Sequence, residues 1–188
     1  MELMKISRKN LENKYVDLIN ISKICLHNNN IELLDSQIFN GLINLQTIDL
    51  SHNKIPDFNK ELFAGLRNLT EIYISNNQLE SIIEHTFEGL INLEIIDVSN
   101  NKIRKIQRIF ENLNKIKKIN LSNNQIEYID ENAFKGLHTL HEINLHGNYH
   151  RRKTHNLYLE DSVHFVSVGK SKINDINFIF NLRVIIIF

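Results

Sequence analysis

His138, His141, His146, His150 and His155 make the densest run of potential metal ligands in this chain of 188 residues. A zinc site wants ligands that converge on one point, commonly paired at short fixed spacing. These five fall in successive loop, strand and turn positions, so their imidazoles are expected to point apart and to hold no metal. No Ser, His and Asp arrangement, phosphate-cradling glycine loop or matched pair of carboxylates stands out either. Neither a catalytic residue nor a cofactor is expected, and the chain is not read as an enzyme.

His150, Arg151, Arg152 and Lys153 form one basic run, and Lys102, Arg104, Lys105, Arg108, Lys115, Lys117 and Lys118 form another. Nucleic acid is drawn to such patches, but Lys and Arg total 22 against 22 Asp and Glu, so no global field supports them. They are read as parts of a solvated face, and no nucleic-acid partner is expected. Cys25 is the single cysteine, which excludes an internal disulfide framework. Sequons at Asn20, Asn68 and Asn120 are about what chance gives in a chain so rich in Asn. That richness, with the excess of Ile, is read first as a bias of A/T-rich coding.

The start, MELMKISRKN, lacks the apolar stretch of a secretory leader. The apolar run 176–188 is broken by Asn177, Asn181 and Arg183 and falls short of the roughly 20 residues that span a bilayer. No membrane insertion is expected. These features favour an intracellular location, and an upstream leader would reverse that to extracellular.

The elements that must position these side chains follow from a repeat. Asn29, Asn53, Asn77, Asn101, Asn124 and Asn148 are separated by 24, 24, 24, 23 and 24 residues. Eight residues before each Asn stand Ile21, Leu45, Leu69, Leu93, Ile116 and Leu140. Five before come Ile24, Ile48, Ile72, Ile96, Ile119 and Ile143, and three before come Leu26, Leu50, Ile74, Val98, Leu121 and Leu145. Alternation of these aliphatics with polar residues predicts a short strand, and identical strands one repeat apart pair in parallel. Beyond the Asn, apolar positions lead to Phe39, Phe63, Phe87, Phe110 and Phe134, usually in Phe-x-Gly-Leu, where Gly41, Gly65, Gly89 and Gly136 allow a left-handed turn. In the fourth unit Asn112 replaces the Gly and one residue is missing between Ile106 and Phe110, on the side away from the strand. The six Asn are apolar-flanked, so each is expected to be buried and to bond the bending backbone as a ladder.

Leu45, Ile48, Leu50, Asn53 and Ile55, with their equivalents in the other units, match the pattern L-x-x-L-x-L-x-x-N-x-L. The chain resembles the leucine-rich repeat family, in the 24-residue type similar to repeats of Toll-like receptor ectodomains and matrix proteoglycans. The resemblance implies an α/β repeat solenoid: a leucine-rich-repeat arc with a parallel β-sheet on the concave face and loops or short helical turns on the convex face. It also implies a non-catalytic interaction module that binds a protein partner on the concave surface. The alternative is a secreted or receptor-like recognition fragment of innate-immune or matrix type.

Residues 1–17, with Tyr15 in the aromatic frame, are expected to form an N-terminal half-repeat cap. Regular units occupy 18–148, starting near 18, 42, 66, 90, 113 and 137, and residues 149–188 hold degenerate sixth and seventh units with an apolar tail. In the seventh unit Val163, Val166 and Val168 take the strand positions and Ser171 stands for the Asn. Val184–Phe188 is expected as a buried tail or, through an uncovered edge, as a route to self-association.

Two columns should point out from the concave sheet: Lys23, Thr47, Glu71, Ile95, Lys118 and Glu142, then Cys25, Asp49, Tyr73, Asp97, Asn120 and Asn144. Aromatic anchors ringed by polar groups are what protein interfaces use. Asp49, Glu71, Tyr73, Ile95, Asp97, Lys118 and Asn120 are therefore the candidate partner-binding residues. Elsewhere Glu80, Arg104 and Glu127 share one position and Lys60, Glu84, Arg108 and Glu131 another, so opposite charges are expected to pair along the stack.

Overall fold

The computed structural model describes residues 4–148, and the backbone alone of 165–167 and 185–187. Expectations resting on His150, Arg151, Arg152, Lys153, His155, Val163, Val168 and Ser171 lie outside the described residues.

In chain order the elements are β1 (Lys5–Ile6), α1 (Arg8–Lys14), β2 (Lys23–Cys25), β3 (Leu33–Leu34), β4 (Thr47–Asp49), β5 (Glu71–Tyr73), β6 (Ile95–Asp97), β7 (Lys105–Ile106), β8 (Lys118–Asn120), β9 (Tyr128–Ile129), β10 (Glu142–Asn144), β11 (Phe165–Ser167) and β12 (Ile185–Ile187). Eight of them form one parallel sheet in the order β2, β4, β5, β6, β8, β10, β11, β12. The register aligns Ile24, Ile48, Ile72, Ile96, Ile119 and Ile143 in a single row and continues to Val166. The shortened fourth unit keeps this register because its missing residue lies outside the strand, and both Ile106 and Phe110 stay buried.

The core runs the length of the stack. The aliphatic columns bury themselves behind the sheet, and Phe39, Phe63, Phe87, Phe110 and Phe134 stack face to face at centroid separations of 5.7 to 6.4 Å. Paired strands repeat at about 4.8 Å. The wider spacing on the phenylalanine side bends the stack into an arc, with the sheet on its concave face. The convex side is built of turns and the small pairs β1–β3 and β7–β9, and among the described residues the one helix is α1. That helix buries Leu11, starts where Asn10 Oδ1 accepts from the Ser7 N–H at 2.8 Å, and is tied to the following unit by Arg8 donating to the Asn40 carbonyl at 2.8 Å. No helix among the described residues is long and apolar enough to cross a membrane.

Among the described residues the Asn ladder has five buried rungs. Asn53 Nδ2 donates to the Leu50 carbonyl of its own unit and to Leu26 of the preceding one, both at 2.9 Å, while its Oδ1 accepts from the Ile31 N–H. Asn77, Asn101, Asn124 and Asn148 repeat this pattern. Asn29 departs from expectation: it is exposed, and its Nδ2 donates only to His27 in its own bend at 2.7 Å. Among the described residues its side chain reaches no carbonyl of a preceding unit, so it forms no rung there.

Three further expectations change. Tyr15 does not join the ring stack; its hydroxyl accepts from the Cys25 N–H at 3.1 Å and reaches the Cys25 carbonyl at 3.3 Å. The charge columns do not pair along the convex side among the described residues, and Arg108 bonds Glu111 of its own turn at 2.6 Å. Ile185–Ile187 pair in parallel with β11 as the last described strand. The Asn excess is also partly structural. Asn28, His52, Asn76, Asn100 and Asn123, each just before a ladder position, have φ between 52° and 56°, and Gly147 takes the same place in the sixth unit. Asn tolerates this left-handed backbone better than other residues that carry a Cβ.

Candidate functional site

All seven candidate residues lie on one face of four adjacent strands. Asp49, Tyr73, Asp97 and Asn120 are register partners in one row, and Glu71, Ile95 and Lys118 form the row beside it. The reason is local: strands three residues long present their outer two side chains to the concave side while the middle Ile is buried. Lys118 is exposed and the other six are half-buried.

Hydrogen bonds fix this surface. Tyr73 Oη and Thr47 Oγ1 each donate to Glu71 Oε2 at 3.3 Å. Asn120 Nδ2 donates to Asp97 Oδ2 at 3.2 Å, and Asp97 Oδ1 accepts the Ser99 N–H at 2.9 Å. Lys118 turns to Glu142, with Nζ 3.0 Å from Oε2, and among the described residues no lysine forms an ion pair with Glu71, Asp97 or Asp49. Burial, then the negative charge and hydrogen bonding of Glu71, then Asp97 and Asp49, raise the Tyr73 hydroxyl above its ordinary value of 10.0. The phenol therefore stays neutral as a donor. The result is an apolar patch, Tyr73 beside Ile95, inside an acidic ring.

At the amino-terminal end of the same face, Cys25, His27 and Asp49 bring three ligand-type atoms together, and among the described residues they are the one group of three that does so. Burial alone would raise the Asp49 carboxyl, but hydrogen bonds from Ser51 and the neighbouring His27 outweigh it and hold it below the usual carboxylate value. Sequence reading placed Cys25 and Asp49 in one column but missed His27, which follows the strand; the signal was a Cys-x-His step facing an acid one repeat on. His138, His141 and His146 are exposed and enter no such group among the described residues. On the convex side a hollow of 340 Å³ is lined by Lys60, Glu61, Ala64, Gly65, His85, Thr86 and Glu88.

Two family models match the chain: Leucine rich repeat over residues 19–79, and BspA type Leucine rich repeat region over residues 57–181. No curated protein matches significantly in sequence. Among solved structures, the APL1 leucine-rich repeat domain superposes with a TM-score of 0.76 at 19% identity, covering 88% of this chain and 41% of that one. Toll of Drosophila, in its glycosylated complex with Spatzle, gives 0.72 at 18% identity, covering 89% of this chain and 22% of Toll. TLR13 in complex with ssRNA13 gives 0.70 at 23% identity, covering 90% and 27%. The chain thus spans less than half the length of each of these structures.

Proposed function

The chain belongs to the leucine-rich repeat family, and we propose that it is a non-catalytic interaction module that binds a protein partner across its concave sheet. The observation that carries this reading is the half-buried pair Tyr73 and Ile95 within the ring of Asp49, Glu71 and Asp97. An aromatic body with a polar tip is a typical anchor of protein interfaces. The acidic ring suits a partner that presents Arg or Lys, whose cation can also lie over the Tyr73 ring. A protein occupant is supported by Toll, found in a complex with Spatzle. TLR13 in complex with ssRNA13 means that neutral net charge gives no support for excluding RNA, so RNA is an outcome of the test.

The test is affinity capture with the full chain beside Tyr73→Ala/Ile95→Ala, followed by mass spectrometry and by nuclease treatment of the eluate. A protein recovered by the native chain and weakened at least about tenfold by the double variant supports the reading. Equal recovery by a folded double variant, or recovery of RNA alone, rejects it.

The second reading, a receptor-like recognition fragment, draws on the repeat type shared with Toll. Its marker is glycan at the exposed Asn20 and Asn68 in the native source; unmodified Asn at both counts against it. Self-association at β12, the last described strand of the sheet, is a separate expectation. Sedimentation that does not change with concentration would remove it.

A further inference from the structure

The three-residue group at the amino-terminal end of the sheet has the dimensions of a metal centre. Cys25 on β2 faces Asp49 on β4 across the ladder, and His27 follows Cys25 by two residues. Cys25 Sγ lies 2.9 Å from His27 Nδ1 and 3.9 Å from Asp49 Oδ2, and Nδ1 lies 3.3 Å from that same oxygen. Bonds of about 2.0–2.3 Å at tetrahedral angles put zinc ligands roughly 3.3–3.6 Å apart. The observed separations straddle that range.

The surroundings hold these atoms in place. Asp49 Oδ1 accepts both the Ser51 N–H, at 3.0 Å, and the Ser51 hydroxyl, which leaves Oδ2 turned toward Cys25 and His27. Metal-ligating carboxylates are oriented by such outer partners. The Tyr15 hydroxyl and the Lys14 ammonium, 3.3 and 3.0 Å from the Cys25 carbonyl, secure the strand that carries the thiol. A thiolate and a carboxylate balance the charge of a divalent cation, and the imidazole completes a soft donor set that favours zinc over magnesium or calcium. Half the His27 side chain is open to solvent, giving the ion an entry path.

We propose that Cys25, His27 and Asp49 bind a zinc-type divalent cation through Sγ, Nδ1 and Oδ2, with a fourth position open on the concave side. On binding, the thiol releases its proton to solvent and His27 keeps its remaining proton on Nε2. The site uses neither Tyr73 nor Ile95, so its failure and that of the partner surface are separately visible.

The test uses the full chain after chelator treatment and dialysis, titrated with cobalt(II) and then zinc(II). The expected result is a thiolate-to-cobalt charge-transfer band with the intense visible bands of four-coordinate cobalt, saturating at a single ion per chain and bleached by zinc. Because Cys25 is the single cysteine, alkylation reads this thiol alone, and zinc should slow it at least about tenfold. Cys25→Ser should abolish the charge-transfer band. His27→Gln and Asp49→Asn should each weaken cobalt binding at least about tenfold, and His146→Gln should leave it intact. Absence of the band, alkylation indifferent to zinc, or a cobalt spectrum that survives Cys25→Ser overturns the proposal. If Cys25→Ser does not fold, protection from alkylation in the native chain decides.

Discussion

The side-chain amide of Asn77 reaches back 3.0 Å to the carbonyl of Leu50, the same oxygen that Asn53 already holds at 2.9 Å. Each rung therefore closes the bend of the unit before it as well as its own. Asn77→Ala would leave the Ile55 N–H and part of the carbonyl set buried without partners, and should cost about 3 kcal/mol. Asn29→Ala loses one exposed bond and should cost less than about 1 kcal/mol. Urea denaturation of both variants checks the contrast; equal losses would mean that the rungs do not act between units.

Phe87 sits in the middle of the ring stack, 6.0 Å from Phe63 and 6.3 Å from Phe110 by centroid. Phe87→Ala should destabilise by roughly 3–5 kcal/mol. Ile83→Ala, at an exposed site four residues away, should change stability by no more than about 0.5 kcal/mol. Thermal melts of the pair test whether stability resides in the stack.

The left-handed position before each rung gives a backbone prediction. Asn100 has φ 54°. Asn100→Val should cost about 1–2 kcal/mol, whereas Asn100→Gly should lie close to the native chain. A valine variant as stable as the glycine variant, by the same denaturation assay, would contradict the assigned conformation.

Asp49 links stability to pH. Its carboxyl titrates below 3.8 in the folded chain, because the Ser51 bonds and His27 outweigh burial. A depressed carboxyl contributes stability above its unfolded value and loses it as pH falls through its folded value. Asp49→Asn should therefore be less stable than the native chain at neutral pH, and the two should converge as pH drops below 3.8. Denaturation midpoints along an acid series measure the gap, and a gap that widens toward acid would reverse the assignment.

The sheet, its register and the phenylalanine column were legible because a solenoid gives equivalent residues equivalent surroundings, so Ile48 and Ile143 could be assigned alike without knowing the fold in detail. The concave columns were legible for the same reason, down to Tyr73 beside Ile95. What the columns concealed is what depends on neighbours being present or absent. Asn29 carries the repeat letter but, among the described residues, its side-chain amide bonds only within its own bend. Arg108 found Glu111 within its own turn, at 2.6 Å. His27 lies where the chain leaves the strand, next to Asn28 at φ 56°, and strand alternation says nothing about where a side chain points beyond such a bend. The left-handed column itself was hidden by a composition that made Asn unremarkable.

The rungs all reach in one direction, from each unit toward the one nearer the amino terminus. On a ribosome that polarity matches the order of emergence. Each new turn arrives already carrying the side chain that seals the turn before it, so a growing chain can close its backbone unit by unit, without waiting for distant segments.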